Sequence, residues 1–143
     1  MKILLVHGPN LSQLGTRNPQ VYGTTSLGDL VAAARDEHPG VEAFTSESEG
    51  ELVTRMHVAR TDGTEAVVIN PGALTHYSYA LRDALEMLTV PKVEVHLSQT
   101  AAREPFRRHS VVSPVVDVTI TGAGAYGVRL AVRAAVHLAG ERA

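Results

Sequence analysis

Asn10, Asn70 and His96 each stand at or near the close of a short apolar run, in HGPNL, VINPGALTH and VEVHLS. Amides donate and accept hydrogen bonds without carrying charge, and an imidazole can move a proton near neutral pH. Glu94, two residues before His96, shares its face of an extended chain, placed either to orient that ring or to sit as a solvated edge charge. Arg17 and Tyr22 add a cation and a phenol from GTRNPQVYG, residues 15–23. Asn70 leads on to Thr75 and His76, where a helix start would offer free N–H groups to an anion. Farther along, QTAAREPFRRHS carries Arg103, Arg107, Arg108 and His109. One arginine reaching the site would suit an anionic or polyhydroxylated substrate. Each residue also has a plainer reading. Asn before Pro-Gly is a turn residue, His96 a core imidazole, Arg17 and Tyr22 loop packing, and Arg103, Arg108 and His109 a solvated basic loop. Convergence on one edge, more than any single residue, points to a site.

That convergence depends on the elements that carry these residues. β-branched and apolar runs occupy residues 2–7, 41–44, 65–70, 92–97 and 117–121. Between them the apolar positions fall at helical spacing, as in THYSYALRDALEML and AYGVRLAVRAAVHLA. Ser26-Leu27-Gly28-Asp29 and Ser48-Glu49-Gly50-Glu51 both fit a capping box, with an acidic residue three after the cap. Five strands separated by four helices, with a closing helix, predict an α/β three-layer sandwich: a five-stranded parallel sheet with helices on both faces. Right-handed crossovers favour a flavodoxin-like strand order, in one domain spanning residues 1–143. Ligands of such sheets bind at the carboxyl ends of the strands, where these residues fall. The first strand-to-helix connection, residues 9–25, is far longer than the usual ~2–6 residues, and long loops in small domains are often functional.

Bulk composition narrows the classes. A net charge of −2 gives no footprint for nucleic acid or an anionic membrane, and the absence of cysteine excludes disulfides, thiolate catalysis and cysteine-ligated metals. No apolar run approaches the ~20 residues of a membrane span, and the four-residue apolar run near the start is too short for a signal peptide, so a cytoplasmic protein is expected. GAGAYG, residues 122–127, satisfies the dinucleotide fingerprint, but no second strand and no ribose-binding acid follow it; close helix packing is the better reason for its glycines. His76, His96 and His109 lack metal-ligand spacing. Lys2 and Lys92, the only lysines, sit at strand starts, opposite the candidate edge, which disfavours Schiff-base chemistry.

Four blocks, HGPNLSQLGTRNPQVYG, ESEGELVTRMH, INPGALTHYSYALRDAL and VEVHLSQTAAREPFRRHSVVSP, resemble the successive signatures of type II 3-dehydroquinate dehydratases, in order and spacing, over essentially the whole chain. The resemblance implies anti elimination of water from 3-dehydroquinate through an enolate, giving 3-dehydroshikimate in the shikimate pathway, with no metal or cofactor. Biosynthetic and quinate-catabolic use both stay open. By position it implies that Tyr22 is the base, with Arg17 beside it on a closing lid. Asn10 would hold a water that stabilises the enolate, and His96, supported by Glu94, would protonate the leaving hydroxyl. Asn70, Leu97 and Ser98 would bind the substrate carboxylate, and His76 and Arg107 its ring hydroxyls. Asp83 would reach a neighbouring subunit's site in a homododecamer built from trimers. Physical chemistry supports the lid: a phenol with a pKa near 10 needs a neighbouring permanent cation to act as a base near neutrality.

Several positions depart from the family's usual residues: His7 for Asn, Asn18 for Glu, Thr45 and Glu47 for Gln and Asn, Tyr77 for Thr, and Gln99-Thr100 for Asn-Ile. Asn18 removes a negative charge beside Arg17, and Tyr77 is expected at the pocket wall, where it would alter substrate fit. These departures motivate one alternative, a paralogue acting on a modified dehydroquinate. A flavodoxin-like nucleotide-binding module is the alternative from another class, but the chain has no Trp for stacking and no Ser/Thr-rich phosphate cradle after the first strand.

Overall fold

The computed structural model describes the backbone of residues 1–143 and every side chain except that of Tyr22. Five strands form where the β-branched runs lie: β1 (Ile3–His7), β2 (Val41–Thr45), β3 (Ala66–Asn70), β4 (Lys92–His96) and β5 (Val118–Thr121). All pair in parallel in the order β2-β1-β3-β4-β5, the flavodoxin-like order, so β1 lies between β2 and β3 and the order in which strands are added reverses beside it. The register aligns His7 with both Thr45 and Asn70. Polar residues at the ends of three strands are thereby brought to one edge.

Alternation along each strand sorts residues between two cores. Ile3 and Leu5 face one core, with Val93 and Val95; Leu4 and Val6 face the other, with Val67 and Ile69. Full burial of a leucine stabilises by about 1.5–3 kcal/mol. A one-residue slip of β1 would exchange its two faces, so the register is strongly specified. Helices α2 (Leu27–Glu37) and α5 (Tyr126–Arg142) cover the first core, through Leu30, Ala34, Val128 and Val132. Helices α3 (Glu49–Ala59) and α4 (Tyr79–Glu86) cover the second, through Leu52, Met56, Leu81 and Leu85. Before them, one helical turn, α1 (Pro19–Tyr22), lies within the long first connection.

Local signals account for most boundaries. Ser26 and Asp29 form the expected reciprocal capping box. Ser48 accepts from the Glu51 amide, but Glu51 turns its carboxylate to the Ser46 hydroxyl, so the second box is only half made. Two expectations need correction. No α-helix joins β4 to β5; three short 3₁₀ turns, the last two with a proline in the first turn, carry the chain across. Thr75 and His76 lie in a 3₁₀ turn, and α4 starts only at Tyr79, because the Ser78 side chain caps it by accepting from the Leu81 amide. Of the glycines of GAGAYG only Gly127 fits the packing expectation, with a Cβ there 3.4 Å from Val95 where α5 crosses the sheet; Gly122 and Gly124 are instead required by turns, with φ of 86° and 60°.

Candidate active site

A cavity opens at the carboxyl end of the sheet. Asn10 and Arg17 from the first connection line it, with Asn70 at the end of β3, His76 after it, and His96, Leu97, Ser98 and Arg107 from the end of β4 onward. With Arg103, nine of the residues singled out in the sequence therefore meet around one space.

Behind the cavity wall lies a buried acid. Glu94 and His96 alternate out of β4 on one face, and Glu94 has no solvent exposure. Its Oε2 accepts from His96 Nε2 and from the Thr75 hydroxyl, each at 2.6 Å, and its Oε1 accepts from the Ser113 hydroxyl at 2.6 Å. Since Thr75 donates to the carboxylate, the Ser110 hydroxyl 2.7 Å away donates to Thr75. Burial alone would push the Glu94 carboxyl up, but the bonds from His96, Ser113 and Thr75 hold it below its ordinary value. The group is therefore a charged acceptor, and its reading as a solvated edge charge is overturned. His96 must present Nε2–H to it, which fixes the ring and leaves Nδ1 for other chemistry.

The amide side is set by backbone turns. Asn70 Oδ1 accepts from the Gly72 amide at 3.1 Å, an Asx-type turn that leaves the side-chain NH₂ as a donor. Gly8 donates to the Asn70 carbonyl at 2.8 Å, tying the end of β1 to the end of β3. Leu97 is buried while Ser98 is half-buried, so the chain passes the cavity with its own polar groups close by.

Cations gather on the remaining rim. Arg107 Nε donates to Glu104 Oε2 at 2.6 Å, and its guanidinium lies 4.7 Å from the centre of the Phe106 ring. Phe106 in turn meets His76 edge to face at 5.5 Å. His76 Nδ1 donates to the His109 carbonyl at 2.7 Å, so the neutral ring keeps Nε2 as an acceptor suited to a hydroxyl. Arg103, read from the sequence as part of a solvated loop, lines the cavity and donates to the Ser98 hydroxyl at 3.2 Å. Arg108 keeps the solvated reading, exposed and bonded to the Ala101 carbonyl.

Two expected residues do not line this cavity, and the side chain of a third is not described. Asp83 is exposed on α4 and does not line this cavity. Tyr77 is 62% exposed and is not part of the pocket wall, a correction to the reading that placed it there. The Tyr22 side chain, expected as the base, lies outside the described residues. The backbone that carries it is capped by Asn18, whose Oδ1 accepts from the Gln20 amide at 3.1 Å. Asn18 thus acts as a helix cap, a role for which Asn is among the best residues. The partners of Glu94 were the hardest to foresee: Ser113, in VVSPVV, carries no local signal of its contact.

Both lysines sit at the far end of the sheet. Lys2 pairs with Asp62 at 3.1 Å, and the Lys92 ammonium donates to the Leu85 and Leu88 carbonyls. Among the described residues, no three His, Asp or Glu side chains gather as a metal site, and no helix is long and apolar enough to cross a membrane.

Comparison with known proteins gives a consistent result. The family model of Dehydroquinase class II matches residues 1–136. The chain is 48% identical to the 3-dehydroquinate dehydratase of Halorhodospira halophila, covering 99% of both chains. It resembles the crystal structure of a type II dehydroquinase from Propionibacterium acnes, with a TM-score of 0.89, 46% identity and coverage of 97% of this chain and 96% of that one. A type II dehydroquinase from Butyrivibrio crossotus superposes with a TM-score of 0.92 at 40% identity, covering 95% and 97%.

Proposed function

The chain belongs to the class II dehydroquinase family, and from that premise we propose how its pocket eliminates water from 3-dehydroquinate to form 3-dehydroshikimate. The activity is that of a hydro-lyase. In our reading, the Tyr22 phenolate removes the proton alpha to the ketone, and the C–H electron pair moves into an enolate. Arg17, which cannot lose its charge, makes the phenolate accessible near neutrality. Asn10 steadies the enolate through a bound water. The enolate then re-forms the ketone, the ring double bond forms, and the C–OH bond breaks with its electron pair on oxygen. His96 delivers a proton from Nδ1 to that oxygen, and water leaves.

One observation carries the proposal: the buried Glu94 carboxylate, 2.6 Å from His96 Nε2. A carboxylate so placed offsets the positive charge of a doubly protonated ring and fixes its other nitrogen toward the departing group. The cations fit an acidic, hydroxylated substrate. Asn70, Leu97 and Ser98 take the carboxylate; His76 and Arg107 take ring hydroxyls. The scheme uses no metal or cofactor, and it needs one catalytic domain, residues 1–143, working in the cytoplasm in the shikimate pathway. Asp83 is assigned to the neighbouring subunit's pocket in a homododecamer of trimers. Its exposure on α4, with Tyr79 and Met87 exposed a turn to either side, supports an interface there.

The test is ultraviolet absorbance of the protein mixed with 3-dehydroquinate in the presence of chelator. Elimination conjugates the new double bond with the carbonyl groups, so absorbance should rise at once. A folded protein that produces no rise would overturn the proposal.

A further inference from the structure

Asn10 has an unusual backbone. Its φ of 71° makes it the one non-glycine residue in the left-handed region among the described residues. Asparagine tolerates that region better than most side chains, but it still needs a reason to stay there. Two neighbours supply one. Behind it, Gly72 lets the chain press close to Pro9: a Cβ on Gly72 would lie 2.9 Å from the Pro9 carbonyl oxygen. In front, Glu47 reaches over from the loop between β2 and α3. Its Oε2 accepts from the Asn10 amide at 2.7 Å, and its Oε1 accepts from the Ser12 hydroxyl at 2.6 Å. One carboxylate thereby spans residues 10 and 12.

Glu47 is itself well anchored. The neighbouring Ser46 amide donates to the His7 carbonyl at 3.1 Å, joining this loop to the end of β1. The Ser46 hydroxyl donates to Glu51 and accepts from the Ser48 amide. The carboxylate therefore connects a fixed loop to the root of the long first connection, before Arg17 and Tyr22. Bonds from Ser12 and from the Asn10 amide hold the Glu47 carboxyl below its ordinary value, so it is a charged acceptor at neutral pH.

We infer that Glu47 is a positioning residue for the elimination: its carboxylate holds Asn10 in the left-handed conformation that keeps its side chain on the cavity. This rests on the enolate-stabilising role proposed for Asn10. Nothing in the Asn10 or Glu94 chemistry touches Glu47 directly. Its effect should therefore fall on turnover, not on substrate affinity.

Steady-state kinetics and thermal melting of the assembled protein test the inference through Glu47→Ala, Glu47→Gln, Asn10→Ala and the Glu47→Ala/Asn10→Ala double variant. Loss of bonds to a charged acceptor should lower kcat by about 10- to 100-fold in Glu47→Ala. KM should stay within about twofold, and Tm should hold near the parent value, because Glu47 is exposed and outside both cores. Glu47→Gln keeps an acceptor for the Asn10 amide and should recover most of the turnover. The double variant should be no slower than Asn10→Ala alone, since both act through one group. Losses that multiply in the double variant, or a loss confined to KM or Tm, would overturn the inference. If Asn10→Ala is slow while Glu47→Ala is normal, the inference alone falls. If Asn10→Ala turns over normally, it is the role of Asn10 that fails.

Discussion

Glu94 is sealed from solvent and takes hydrogen bonds from three separate segments, whereas Asn18, Pro19 and Gln20, on the connection that bears Tyr22, are exposed and bond within their own turn. The two sides of the pocket thus rest on different physics. The acid side is held by tertiary contacts with residues 75 and 113 and by His96 on the same strand, all at a carboxylate sealed from solvent. On the side where the base is proposed, the described cap contacts are local: an Asn cap, a proline at the first helical position and Gly23 beyond the turn. A group that must hand over a proton in a fixed direction benefits from the first kind of support. A group that must cover a substrate and release the product is better served by the second.

The sharpest ways to break this comparison are at the proposed base and at the carboxylate that orients His96. Tyr22→Phe should lower kcat by about 10²–10⁴-fold, the range for a general base, while isothermal titration still shows substrate binding. Turnover near the parent rate would remove the phenol from its role. Glu94→Gln comes next, with kcat expected to fall about 100-fold. An amide there offers a donor where three donors already converge, so one partner is left unpaired at a cost of about 1–3 kcal/mol. The variant should also change acid sensitivity. The parent carboxyl is held below its unfolded value, near 4.3, so its contribution is present above that pH and is lost as pH falls through the folded value. Urea midpoints at pH 7 and pH 3 should differ less in Glu94→Gln than in the parent; equal differences would show the carboxylate is not coupled to folding.

His7 offers a third test, in the strand between the two sides. Its ring is fully buried with neither nitrogen hydrogen-bonded, and burial pushes its pKa down to about 4 from 6.5. The unfolded chain binds the extra proton first, so stability should be lost as pH falls from about 6.5 to about 4, by about 3 kcal/mol in all. Below that window this group contributes no further loss. His7→Leu should flatten that segment of the stability–pH curve, and an unchanged slope would assign it to other groups. The smallest effect belongs to the local side. Gly23 has φ of 76° and, among the described residues, nothing lies within 4 Å of where a Cβ would stand, so Gly23→Ala is expected to meet backbone strain of about 1–2 kcal/mol. A melting shift much larger than that would mean the connection is tied into the fold more tightly than its own bonds suggest.

Much of this arrangement was readable before any coordinates. The strand boundaries fell within a residue of their β-branched runs, and Ser26-Leu27-Gly28-Asp29 capped α2 as written, because both signals act over a few residues. The signature blocks named Asn10, Arg17, Asn70, His76, His96 and Arg107, and the sheet brought them to one cavity. Less was readable after β4. The periodicity suggested a helix in every connection, yet residues 100–115 fold as three 3₁₀ turns. That irregular path sends Arg103 into the cavity, parks Arg107 on Glu104 and places Ser113 on Glu94. In the same way a 3₁₀ turn after β3 directs Tyr77 to solvent rather than to the pocket wall.

The division follows from the range of the forces involved. Apolar spacing, caps and the strand order they permit are local or nearly local, so the sequence by itself determined the sheet, its layers and the edge where chemistry gathers. Which oxygen meets which nitrogen at that edge was decided only by the tertiary structure. A side chain's direction after an irregular turn accumulates every preceding dihedral angle, and Glu94 stays charged only because Thr75, Ser113 and His96, up to nineteen residues away, arrive at the same carboxylate.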